Sequence, residues 1–430
     1  MTDTAPITCE LCVVGSGMAG MSAALFAANR GLSTVLVGRT GEIIFATGLL
    51  DLLGVHPLEA GTLWSDPWAG IAALVKDLPH HPYGRLALKT IRASFQEMVE
   101  FFETQGLSYT GFPERNAAVL TAVGTVKVTY RVPLTMWNGV AARQRKAACL
   151  LIDIQGLKGF SARQIMAAAG SAWPGLRTVK VDFPGAVPGG EIFPERLARA
   201  LETEGARANW AAVLKPHLQH AAAVGVPAIL GISRSTEVMR DIERRIGCPL
   251  FEIPTMPPGV TGFRMKEAFE RGLGARGVSL LLENKAFRAT ACPTSGFRLE
   301  VGRMEPERTI HAAAVVLATG RFMGGGLQAD RHVVREPLFG LPVHQPGQRD
   351  DWHGENFLDR RGHPINRAGI ETDECFRPLD AFRRPVHPRL FAAGSILAHQ
   401  DWIRMKCGSG LAFSTAYAAV ENAKAELRKR

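Results

Sequence analysis

The apolar run at residues 11–14 ends on Gly15, and the chain then reads Gly15-Ser16-Gly17-Met18-Ala19-Gly20 before a stretch of small and apolar residues at helical spacing up to Asn29. No other feature constrains the fold as tightly, because a glycine triplet at this spacing between a strand and a helix has few other uses. Gly15 permits a tight turn, Gly17 lets a pyrophosphate approach the backbone, and Gly20 lets the helix lie close on the strand. Ser16, Met18 and Ala19 complete the turn, and the helix start offers unpaired N–H groups and a positive dipole end to phosphate. Gly31 stands where a helix terminator belongs, and the β-branched run at 33–37 supplies a second strand, giving a βαβ opening.

In such units an acidic residue about 20 positions on holds the ribose hydroxyls. Here that place carries Gly38 and Arg39. Arg39 either meets a phosphate or is a surface charge. Two further apolar strands end on glycine, Val315-Val-Leu-Ala-Thr319-Gly320 and Leu390-Phe-Ala-Ala-Gly394-Ser395. Three such ends on one sheet form a flavoprotein pattern, since glycine lets the backbone run beside a flat cofactor at the carboxyl ends of parallel strands. The segment Cys407-Gly408-Ser-Gly410-Leu411 then feeds a small-residue helix. Its N-terminus, aimed at the flavin, would stabilise the anionic reduced ring.

A chain of 430 residues exceeds one simple core, so two joined domains are expected. The fold class is α/β: a discontinuous Rossmann-like FAD/NAD(P)-binding domain with a parallel sheet at 1–76 and 277–430, and an inserted α+β substrate or cap domain at 77–276. In the insert, residues 125–132 alternate, placing Thr125, Lys127, Thr129 and Arg131 on one face as a candidate anion surface or a solvated strand face. The net charge of +10 comes from dispersed residues without a dense basic run interleaved with aromatics, which disfavours nucleic acid. No apolar run reaches membrane-span length and no leader pattern precedes the glycine turn, so a cytosolic chain is expected. Seven cysteines lack iron-sulfur or zinc spacing, so reduced thiols and no metal site are expected, with Cys9 and Cys12 on a strand rather than in a redox motif.

Longer segments add a family likeness. They are Phe45-Ala-Thr47-Gly48-Leu-Leu-Asp51, Gly124-Thr-Val-Lys127-Val-Thr129, Gly156-Leu-Lys-Gly-Phe160, the proline-laden run from Gly247 through Glu252 and Pro257-Pro258 to Gly262, Gly324-Gly-Gly-Leu, and Arg335-Glu336-Pro337. With these, the chain resembles the B subunit of anaerobic glycerol-3-phosphate dehydrogenase over essentially its whole length. Gly369-Ile-Glu371-Thr372-Asp373 and the third glycine motif are shared with the broader fumarate-reductase-like flavoproteins. Many of those have an acidic residue where this chain has Ser395.

The resemblance implies oxidation of sn-glycerol 3-phosphate to dihydroxyacetone phosphate, with electrons passing through flavin to the quinone pool. It implies FMN, with FAD as the alternative, and flavin contacts that include Thr47 and Gly48. Its partners would be an FAD-carrying A subunit and a membrane-associated iron-sulfur C subunit, which would hold this chain on the inner face of the cell membrane. For the chemistry, His399 is the candidate base and Lys127, Arg131, Arg404 and Lys406 are candidate anion holders. Two other readings stay open: an electron-relay or assembly component of the same complex, and a flavin reductase of another small substrate.

Overall fold

The computed structural model describes residues 5–39, 43–187, 189–292 and 296–429. The chain divides into two compact units, one made of Met1–Glu42, Asp51–Met98 and Phe269–Arg430, the other of Ile43–Leu50 and Val99–Ala268.

The first unit is built on a seven-stranded sheet. Ile7–Val14 lies between Thr34–Gly38 and Arg308–Leu317, parallel to both, and Ser279–Leu282 extends the parallel set beyond Thr34–Gly38. Where these strands are buried on both faces, at residues 11–14, 35–37 and 314–317, they read as unbroken apolar runs. The strand Arg308–Leu317 changes partner along its length: its first half pairs antiparallel with Gly296–Gly302, its last three residues parallel with Leu390–Ala392. The three apolar strands that end on glycine therefore terminate side by side.

Over this sheet pack the helices Met18–Asn29 and Gly408–Leu427, both buried around most of their circumference. Phe26 meets Tyr417 edge-on at 5.2 Å, and Phe95 meets Phe413 in the same way at 5.2 Å. The latter contact corrects the domain boundary expected at residue 77. Residues 77–98 belong to the first unit because Arg30 pairs with Glu97 at 3.1 Å and the Tyr83 hydroxyl donates to the Leu52 carbonyl at 2.7 Å.

The second unit has its own parallel sheet, formed by Cys149–Ile154, Leu176–Val181, Ala223–Pro227 and Leu250–Ile253. In chain order the strands lie 4-3-1-2 across it, a doubly wound arrangement. The short, mostly buried runs Cys149–Ile154, Ala223–Pro227 and Leu250–Ile253 cannot be told from helix segments by periodicity, which is why this sheet is hidden in the sequence. The alternating segment at 125–132 is two short strands in separate antiparallel pairs, Val126–Thr129 with Ala117–Leu120 and Val132–Pro133 with Tyr109–Thr110. Its expected basic and hydroxylic face does not form: Thr129 is 1% exposed whereas Val126 is 42% exposed. Among the described residues, no helix is long and apolar enough to cross a membrane.

Candidate functional site

In the first unit the glycine turns converge at the carboxyl ends of the parallel strands. Gly15 has φ +117°, and a Cβ there would overlap the Ala318 carbonyl and lie 2.9 Å from the Thr319 amide, so the turn rests directly on the end of Arg308–Leu317. Gly394, at φ +80°, backs onto Ala19, while its N–H donates to Thr415 Oγ1 at 2.8 Å. A Cβ on Gly38 would strike Ser16, whose hydroxyl donates to the Arg39 carbonyl at 2.7 Å. Gly20 lies against the Gly15 carbonyl, as close helix-to-strand packing requires.

This cradle fits a flavin nucleotide. The helix Met18–Asn29 is capped by Gly17 without a side-chain hydrogen bond and has no acidic residue in its first turn, so its leading N–H groups are available to phosphate. Thr319 Oγ1 is buried and has no partner among the described residues, beside Gly320 and Gly326. An orphaned buried hydroxyl costs free energy unless a ligand satisfies it. Gly326 has no local signal beyond its place in a glycine run.

The other expected flavin residues are placed differently. Thr47 and Gly48 belong to the second unit, where Thr47 Oγ1 accepts from the Leu49 amide at 3.4 Å and Gly48 faces Thr261 and Pro133. Gly408 and Gly410 lie in the first turn of the final helix rather than in a turn before it. Protein packing fills the space beside them: Gly408 meets the Trp402 ring, and Gly410 meets the Tyr83 hydroxyl and Leu52. Leu411 is buried behind them. Arg39 is exposed, and the Ser395 carbonyl accepts from Gln400 Nε2 at 2.9 Å.

A second polar group of the same unit surrounds His399. Three distant segments meet there through the backbone. His344 and Gly369 exchange both hydrogen bonds, at 2.8 and 3.1 Å, Ile370 bridges Ile396 and Ala398, and the His399 amide donates to the Arg367 carbonyl at 3.0 Å. This ladder sets His399 Nε2 at 2.8 Å from Glu371 Oε1, with the His344 and His80 rings 4.1 and 5.4 Å from the His399 ring. His399 is held at φ +64°, a left-handed conformation that costs a non-glycine residue roughly 1 kcal/mol or more and persists only where surrounding structure enforces it. Burial, with help from His344 and His80, pushes the His399 pKa down against the pull of Glu371. Glu371 stays below the usual carboxylate range despite its own burial, through the His399 hydrogen bond and the Arg383 charge. In its neutral form the imidazole donates from Nε2 to the carboxylate, which places the proton on Nε2 and leaves Nδ1 unprotonated.

Two expected anion holders are committed elsewhere. Arg131 stacks on the Tyr130 ring at 3.8 Å and donates to the Phe112 carbonyl at 3.0 Å, which ties a hairpin together. Arg404 donates to Asp401 at 3.0 Å within its own helical turn. Lys127 lies on the short strand Val126–Thr129, and Lys406 caps the turn Trp402–Met405 at φ +53°. The cations that do gather at the histidine group are Arg85, Arg367 and Arg383. Sequence reasoning missed these, and missed His80, His344 and Glu371, because no spacing rule links them.

His81, next to this group, is fully buried. Its Nδ1 accepts from the Tyr83 amide at 3.2 Å, so the ring proton sits on Nε2, which has no partner among the described residues. Burial, reinforced by His56, Arg85, His399 and Arg367, pushes its pKa from 6.5 to about 3. The unfolded chain therefore binds this proton first as pH falls, and the stability that neutral His81 contributes above pH 6.5 is lost progressively towards pH 3. Urea midpoints of His81→Gln should fall less than those of the native chain between pH 6.5 and 4, by up to about 3 kcal/mol in stability. Parallel pH profiles would contradict this.

Comparison with known proteins places these features. The model of a family described as an FAD binding domain matches residues 10–411. The anaerobic glycerol-3-phosphate dehydrogenase B subunit of Vibrio vulnificus is 28% identical, over 96% of both chains. A protein of Halobacterium salinarum described as a probable B subunit of anaerobic glycerol-3-phosphate dehydrogenase is 31% identical, over 96% of this chain and 97% of that one. Among solved structures, 3-ketosteroid Δ1-dehydrogenase of Sterolibacterium denitrificans is similar at 13% identity and a TM-score of 0.46, covering 97% of this chain and 99% of that one. The open form of a flavocytochrome c3 fumarate reductase is similar at 12% identity and a TM-score of 0.44, covering 98% and 79%. With a flavin cradle on its parallel sheet and sequence matches along nearly its whole length, the chain belongs to the FAD-binding-domain family of oxidoreductases and, within it, to the family of anaerobic glycerol-3-phosphate dehydrogenase B subunits.

Proposed function

We propose that this chain oxidises sn-glycerol 3-phosphate to dihydroxyacetone phosphate, with His399 as the base that takes the proton of the C2 hydroxyl. The observation that carries the reading is the His399–Glu371 pair: a hydrogen bond of 2.8 Å holds the imidazole proton on Nε2 and keeps Nδ1 ready to accept. Glu371 also stabilises the imidazolium that forms. When bound, the flavin supplies the two-electron acceptor for hydride leaving C2. Arg85, Arg367 and Arg383 supply positive charge for the substrate phosphate in place of Arg131 and Arg404.

The expectation of FMN finds no support, and the cofactor is better read as FAD. The matching family is described as FAD-binding, and the turn Gly15 to Gly20 is complete for a pyrophosphate. Denaturing the purified protein and weighing the released cofactor tests this, with FAD expected and FMN contradicting it. The relatives' description as B subunits supports the existence of partner chains, which in this reading are an FAD-carrying A subunit and an iron-sulfur C subunit that passes electrons to quinone at the membrane.

Substituting His399→Gln should lower kcat for glycerol 3-phosphate by about 10²- to 10⁴-fold, the range for loss of a general base, while flavin content stays unchanged. A kcat within about threefold of the native value would remove His399 from the chemistry.

A further inference from the structure

We propose that His344, Glu371 and His399 bind one divalent first-row transition-metal ion of the zinc class, and that this ion switches off proton transfer at His399. The second half rests on the reading of His399 as base; the site itself does not. Two imidazoles and a carboxylate are a donor set suited to zinc-like ions, with room for solvent in the remaining positions. One ligand atom from each residue lies within 4.8 Å of the others. Metal bonds of about 2.0–2.1 Å put neighbouring ligands roughly 3.3 Å apart in a tetrahedral site, so closing the set takes relative movement of the ligand atoms by at most about 1.5 Å, within reach of side-chain rotation.

The backbone is already fixed for this. The paired hydrogen bonds of His344 with Gly369 and the His399 amide bond to Arg367 hold the three segments in register. His344 is exposed and gives the ion a route from solvent. The cation nearest Glu371 is Arg383, at 3.5 Å with its side chain 64% exposed, so it can swing into water as the ion arrives. His80, its ring 5.4 Å from that of His399, brings another imidazole close.

The ion takes the place of the Nε2 proton between His399 and Glu371. That proton moves to Nδ1, because a neutral imidazole bound to metal through one nitrogen carries its hydrogen on the other. Nδ1 then no longer accepts a proton, and turnover stops without any change in the flavin cradle.

The test uses the flavin-loaded full chain and Zn²⁺ alone. Equilibrium dialysis with elemental analysis should find one His344-dependent ion per chain, with His344→Ala weakening that binding by more than about 10-fold. X-ray absorption at the zinc edge should show nitrogen and oxygen ligands. Zn²⁺ should inhibit the native enzyme, and His344→Ala, measured against its own activity without metal, should need more than about 10-fold higher Zn²⁺ for the same fractional inhibition. His344→Gln serves as a second variant. Equal Zn²⁺ binding by native and variant chains, or none by either, would overturn the site and leave the base reading standing. Binding that depends on His344 yet leaves turnover unchanged would overturn the switch and count against His399 as base.

Discussion

A Gly15→Val chain is expected to be purified nearly free of flavin, with a flavin-to-protein absorbance ratio below about a tenth of the native value. Two effects act together. The residue holds φ +117°, which L side chains rarely adopt, at a cost of about 1–3 kcal/mol. Any Cβ also overlaps the Ala318 carbonyl, and neither that carbonyl nor the buried strand behind it can withdraw. The turn must shift, carrying the leading N–H groups of the helix Met18–Asn29 away from the phosphate position. Far-UV circular dichroism should still report a folded chain, because the sheet register at Ile7–Val14 does not depend on this Cβ. A folded variant that retains stoichiometric flavin would show that the cofactor lies elsewhere.

The largest loss of stability is expected from Arg264→Met in the second unit. Glu252 is fully buried on the strand Leu250–Ile253 and forms a bidentate pair with Arg264 at 2.6 and 2.7 Å. It also accepts from the Thr135 hydroxyl at 2.6 Å and the Leu230 amide at 2.7 Å. Burial alone would raise its pKa, but Arg264 and these donors bring it below the usual carboxylate range. Removing the guanidinium strands the carboxylate in an apolar core, and breaking a buried pair from one side costs about 3–5 kcal/mol. Adding Glu252→Gln should recover part of this, since a neutral amide keeps the remaining hydrogen bonds without a buried charge. The urea midpoint of the single variant, compared with the double, measures both. A single variant within about 1 kcal/mol of native would mean that the pair is weakly coupled to folding.

What could be read from the sequence was what is local in it. The turn at Gly15 to Gly20, the buried strands and the strand ends at Thr319 and Gly394 carry their own signals, because glycine requirements and apolar runs are set by neighbours in the chain. The parallel sheet of the second unit was not legible, since its short buried runs carry no period of their own. Nor was the His399 group. Glu371 lies in a motif shared with other flavoproteins, but its pairing with His399 exists only because the Ile370 backbone bridges Ile396 and Ala398. Arg131 and Arg404 have the chemistry of anion holders, but Tyr130 and Asp401 occupy their guanidinium groups. The sequence pattern at 125–132 alternates as an exposed strand does, yet the surrounding chain buries Thr129 and exposes Val126.

Anaerobic stopped-flow mixing of the flavin-loaded chain with sn-glycerol 3-phosphate tests the central claim most directly. Loss of the oxidised-flavin absorbance in a single turnover, at a rate that His399→Gln lowers by about 10²-fold or more, is the expected result. A fully flavin-loaded chain whose absorbance does not change on mixing would contradict it and assign the alcohol chemistry to a partner chain of the complex.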